Sequence, residues 1–103
     1  MNTLKIAALS LIVASSANAD DMDYCGYIKN IAENVMHMRQ YETTSLSNIY
    51  AFASRQDYKA AAIMRDITND AWRVGIRYSD SMKKDEIKQF ANMKEIQCKA
   101  GYY

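Results

Sequence analysis

Only two cysteines occur in this chain of 103 residues, Cys25 and Cys98, and they stand near its opposite ends. If they bond to each other, the first and last structural elements must lie side by side. An even count of cysteines in a short exported chain reads as a disulfide, and two cysteines allow one intramolecular pairing. Free thiols, or a link between two chains, are the alternatives. Closing so long a loop restricts the unfolded chain by about 4 kcal/mol in the entropy model. That matters because a domain of this size buries only about 60–65% of the surface its unfolded chain exposes. No C-x-x-C motif accompanies the pair, so the expected role is structural rather than redox.

Export is itself legible at the start of the chain. Lys5 precedes the apolar run Ile6–Val13, and small residues follow, ending in Ala17-Asn18-Ala19. This is the layout of a secretory signal peptide over residues 1–19, cut after Ala19 to leave Asp20. A membrane anchor is the competing reading. The apolar run is shorter than the roughly 20 residues a membrane span needs. The expected organisation is therefore a signal peptide, 1–19, and a single helical domain, 20–103. The expected location is the periplasm or the cell exterior, with no membrane span after cleavage.

Loss of Lys5 leaves twelve basic against twelve acidic residues, interleaved along the mature chain. Such a balance argues against nucleic acid as a partner, which calls for a concentrated basic surface. There is no proline and there are three glycines, so little interrupts helix formation. Apolar positions Tyr24, Ile28, Ile31, Val35 and Met38 recur by fours and threes, which predicts a helix from Asp23 to Tyr41. A short second helix is expected over Leu46–Arg55. A third, capped by Asp57, is expected over Tyr58–Tyr78. A fourth, after the cap cluster Ser79-Asp80-Ser81, is expected over Lys83–Lys99. Gly75 inside the third costs about 1 kcal/mol relative to Ala, or marks an earlier end. Ile87, Phe90, Ala91, Lys94 and Cys98 share one face of the fourth helix. The expected fold is all-α: a small four-helix bundle, one helix short, with the disulfide joining the first and last helices.

No residue cluster reads as a catalytic centre. His37 is the only histidine, and no serine sits in a nucleophile turn. Asp66 and Asp70 lie one helical turn apart, but Arg73 is placed to pair with Asp70, so a solvated ion-pair face is the expectation. Met36-His37-Met38 has the chemistry of a copper(I) or silver(I) site. On a helix, however, the two thioethers point about 200° apart. Core filling is the simpler use of the methionines, and no metal or other cofactor is expected.

The aromatic load is harder to absorb. Eight tyrosines, one tryptophan and two phenylalanines exceed what so small a core needs. Phe52 and Trp72 fall beside the apolar stripes of their helices, and Tyr102 and Tyr103 follow Gly101 at the last positions. Tyr and Trp are favoured at protein interfaces as large rigid contacts with a polar tip. Together with Arg39 and Gln40 at the end of the first helix, these four form the candidate partner-binding set. For Arg39 and Gln40 the simpler alternative is local: capping helix carbonyls and bonding to the neighbouring loop.

Cys25, Val35-Met36-His37-Met38-Arg39-Gln40, Ala71-Trp72, Phe90 and Cys98 follow one another in an order that resembles a group of small exported single-disulfide helical proteins. That group is found in proteobacteria and their phages, and it carries no established activity. The resemblance implies architecture and origin rather than a reaction.

The expected function is a non-enzymatic, exported (periplasmic) protein-binding factor whose partner is another periplasmic or envelope protein. By analogy with small disulfide-closed phage proteins, it would inhibit a lytic enzyme or block superinfection. The alternative is a periplasmic stress chaperone. Metal handling through the methionines and an enzymatic role rank below both.

Overall fold

A computed structural model describes residues 24–103; the expected signal peptide, residues 1–19, lies outside them. Four helices follow one another: α1 (Tyr24–Tyr41), α2 (Leu46–Ala53), α3 (Tyr58–Trp72) and α4 (Asp80–Lys99). No strand is present among the described residues. α1 is the central element. α4 packs along it most closely, α3 packs on it next, and α2 rests on α3.

α2, α3 and α4 each start where a short oxygen-bearing side chain can take an amide that the helix itself leaves free. The Ser45 hydroxyl accepts from the Asn48 N–H at the start of α2, at 3.2 Å. The Asp57 carboxylate accepts from Ala60 at the start of α3, at 3.0 Å. The Ser79 hydroxyl accepts from Met82 at the start of α4, at 3.1 Å. α1 and α4 end alike. The Thr43 N–H reaches back to the Met38 carbonyl at 3.2 Å, and the Tyr102 N–H to the Gln97 carbonyl at 3.0 Å. Both closures need a left-handed residue just past the helix. Gly101 supplies one at φ +95°, and Glu42, unusually for a side-chain-bearing residue, supplies the other at φ 52°.

Ile28, Ile31, Ala32, Val35, Met36 and Met38 of α1 meet Met64, Ile67 and Ala71 of α3 and Phe90 and Ala91 of α4 in one core. Met36 and Met38 are both buried, while His37 lies exposed and stacks on Tyr41 with ring centroids 4.7 Å apart. The thioethers are core, and the imidazole faces the other way. Cys25 and Cys98 form the disulfide between α1 and α4, with Cα atoms 5.5 Å apart. The four-helix, disulfide-closed fold expected from the sequence is the fold observed.

Three helix boundaries need correction. α3 ends at Trp72 rather than Tyr78, α2 ends at Ala53 rather than Arg55, and α4 begins at Asp80 rather than Lys83. The apolar periodicity runs on through Val74 to Tyr78, but tertiary bonds take the backbone of residues 73–79 elsewhere. Arg39 Nε donates to the Val74 carbonyl at 3.0 Å, and Gln40 Nε2 to the Gly75 carbonyl at 3.0 Å. The Arg77 N–H in turn donates to Gln40 Oε1 at 2.8 Å. Carbonyls and amides engaged this way are satisfied without a helix. Val74 still packs on the core, but from a loop, and Tyr78 is 98% exposed.

Candidate functional site

The six residues singled out for partner binding fall in three places. Arg39, Gln40 and Trp72 lie together at the C-terminal end of α1. Gln40 is 1% exposed, with its amide and its main-chain carbonyl all engaged; Lys83 Nζ donates to that carbonyl at 2.8 Å. The Arg39 guanidinium sits 5.5 Å from the Trp72 ring centroid while its Nε holds the loop. Trp72 is half-buried against the core. A side chain as enclosed as Gln40 has no surface to offer a partner. Arg39 and Trp72 take part in the same closure but stay half-buried, and both line an open concavity with Glu42, Thr44 and Asn48.

Phe52 stands apart from that group. It is half-buried on α2 and packs against the core, and its carbonyl accepts from Gln56 Nε2 at 3.3 Å.

Tyr102 and Tyr103 lie at the opposite end, beside the disulfide. The Gly101 turn folds them back over α3, where they meet Tyr58, Ala62 and Ile63 around a shallow, mainly apolar concavity. Tyr58 is 88% and Tyr102 70% exposed. Tyr103 is half-buried: its ring meets that of Tyr102 edge-on at 6.1 Å, and its hydroxyl donates to Asp66 Oδ2 at 2.6 Å. Burial, and then the hydrogen bond to Asp66, push the Tyr103 phenol well above the ordinary tyrosine range. Lys59 Nζ, 5.2 Å from the Tyr24 ring centroid, adds a cation at the edge.

Behind Tyr103 lies a buried lysine. α3 and α4 approach each other only weakly through their backbones, and the Lys94 side chain spans the gap to pair with Asp70. Lys94 is 1% exposed. The Phe90 and Tyr103 ring centroids stand 5.6 and 5.8 Å from its Nζ, and such faces favour a cation. Asp70 also takes Arg73 at 3.3 Å. The two aspartates of α3 are thus used structurally, Asp66 by Tyr103 and Asp70 by Lys94. Among the described residues, no three His, Cys, Asp or Glu side chains converge as a metal site, and no helix is long and apolar enough to cross a membrane.

Tyr58 is one of the surplus rings counted in the sequence but stands outside the partner-binding set, and sequence reasoning missed Ile63 altogether. The available signal was the position of Tyr58 directly after the Asp57 cap, well off the α3 stripe, where a ring cannot reach the core. That Tyr102 and Tyr103 would fold back onto α3 had no such signal. It follows from the Gly101 turn and from an acceptor, Asp66, 37 positions away.

No family model matches the chain, and no curated protein or solved structure matches it either.

Proposed function

We propose that the protein is a non-enzymatic, exported binding factor that docks another protein through the tyrosine patch at its disulfide end. The observation that carries this reading is the exposure of Tyr58 and Tyr102, 88% and 70%, around one apolar concavity that Ile63 and Tyr103 also line. Rigid aromatic side chains around an apolar centre are what protein interfaces use as anchors. Water is a poor partner for such a cluster.

The Cys25–Cys98 disulfide fits an oxidising compartment. Together with the signal peptide read over residues 1–19, it supports a periplasmic or secreted location. The partner is then another envelope or periplasmic protein, and a lytic enzyme checked by a phage-encoded inhibitor is one such pairing.

The test is an affinity pull-down with the oxidised protein from envelope extract, read by mass spectrometry, beside a Tyr58→Ala, Tyr102→Ala variant. One dominant partner, lost in the variant while helicity is kept, is the expected result. Many weak clients that persist in the variant would instead support a stress chaperone. Capture unaffected by the variant would place the docking surface elsewhere.

A further inference from the structure

On the other side of α4 runs a groove of different chemistry. α1 and α4 are antiparallel, and their register is set by Cys25 bonded to Cys98, Lys29 paired with Glu95 at 3.5 Å, and Tyr41 bonded to Asp80. This register brings Glu33 of α1 and Lys88 of α4 to nearly the same height, on opposite walls of a groove of about 540 Å³. Both side chains are exposed, and neither has an ion-pair or hydrogen-bond partner among the described residues, although the other two lysines on the groove are engaged, Lys29 with Glu95 and Lys84 with Asp80.

The groove between them is not merely ionic. Its floor is Ile87 and Ala91, both buried. Asn92 contributes an amide with no partner among the described residues. Asn34 contributes a carbonyl oxygen left over after its amide donates to the Asn30 carbonyl at 2.9 Å. A ligand complementary to these walls carries an ammonium for Glu33, a carboxylate for Lys88, an amide for the two asparagines, and a small apolar group for the floor.

We propose that the α1–α4 groove binds a zwitterionic small molecule of the amino-acid or short-peptide class, its ammonium at Glu33 and its carboxylate at Lys88. The site is separate from the tyrosine patch and does not depend on the reading of that patch. It needs no rearrangement of the core, because every polar group it uses is already on the surface.

The experiment is an amide-resolved NMR titration of the oxidised protein with dialanine, and then with the same dipeptide acetylated at its amine or amidated at its carboxylate. Saturable shifts confined to residues around Glu33, Lys88 and Asn92 are expected with dialanine. Both blocked forms should bind at least about tenfold more weakly, since each loses one charge-assisted contact worth about 1.4 kcal/mol or more. In the protein, Glu33→Gln and Lys88→Gln should each reproduce that loss while leaving the thermal midpoint unchanged, because both side chains are exposed. No saturation by about 10 mM dialanine, beyond the range of weak specific binding, would overturn the proposal. So would equal binding of the blocked dipeptides.

Discussion

The two ends of α1 use similar residue types in opposite ways. At the C-terminal end an aromatic ring, a guanidinium and a carboxamide are brought together, the carboxamide buried and the other two half-buried. Trp72 lies under Arg39, and Arg39 and Gln40 hold the 73–79 loop by bonds to Val74, Gly75 and Arg77. At the N-terminal end the disulfide supplies the closure covalently. The rings there are free to face outward, as Tyr58 and Tyr102 do. The two ends lie about 20 Å apart along the helix axis, from Cys25 to Arg39 at 1.5 Å per residue. Where a covalent bond closes the fold, aromatic side chains remain available for contact. Where hydrogen bonds close it, Trp72 is taken up beside Arg39, while Tyr78 in the loop itself stays exposed.

The sharpest way to break this contrast is to remove the covalent closure. A Cys25→Ser, Cys98→Ser variant should lose about 4 kcal/mol of unfolding free energy in a urea titration. It should fray first at the Tyr102–Tyr103 end, where hydrogen exchange of the last turn of α4 reports it. Unchanged exchange there would mean that the Gly101 turn and the Tyr103–Asp66 bond suffice without the disulfide.

Next in size is the ion pair behind the patch. Asp70→Asn leaves Lys94 buried with no carboxylate, and should cost about 3 kcal/mol, the low end for a broken buried pair because Asp70 remains partly open. Lys94→Met, which removes the charge and keeps the volume, should be neutral or stabilising. If the two variants were equally destabilised, the lysine would be valuable for its attraction to Asp70 rather than tolerated because of it.

At the other end, Gln40→Ala deprives the Gly75 carbonyl and the Arg77 N–H of their partner at once. About 2 kcal/mol is expected, the cost of leaving such groups unsatisfied, with faster exchange of the Arg77 amide. A loss well under that would show that water replaces the carboxamide and that the loop is not held by it.

The smallest effect is a matter of pH. Tyr103 is raised by burial and by its bond to Asp66, and Tyr41 is raised chiefly by its bond to Asp80. A phenol raised in the folded state contributes stability that is complete below its ordinary value of 10.0 and is lost as pH climbs beyond it. Absorbance titration should find Tyr103 and Tyr41 ionising late, and stability should fall with pH above about 10. Tyr103→Phe should remove part of that decline. Asp80 works in the opposite sense. Its carboxyl is held below the ordinary range by Tyr41 and then Lys84, so its contribution is present above the ordinary carboxylate range and fades as pH falls through the lowered value.

Much of the fold can be read in the chain because its signals are local. The stripe Ile28–Ile31–Val35–Met38 needs nothing beyond helical spacing, and Ser45, Asp57 and Ser79 mark their helix starts by side-chain chemistry alone. The end of α3 could not be read that way. Its periodicity continues past Trp72, and only side chains more than thirty positions earlier stop it. The tyrosine patch was half legible. Surplus rings off the stripes announced that some face outward, but Trp72 and Tyr58 look alike in sequence. One is taken up by Arg39, and the other meets nothing that encloses it.

What the chain determines by itself is therefore the helical class, the stripes that face the core, the three serine or aspartate caps and the one possible disulfide partner for each cysteine. These rest on spacing within a few residues and on a count of two. Tertiary structure alone decided that Arg39 and Gln40 close a loop, that Lys94 finds Asp70, that Tyr103 covers them, and that Glu33 and Lys88 face each other unpaired. Each of those depends on how two helices are set against one another. That register is established by the whole core and the disulfide together, so no segment carries it alone.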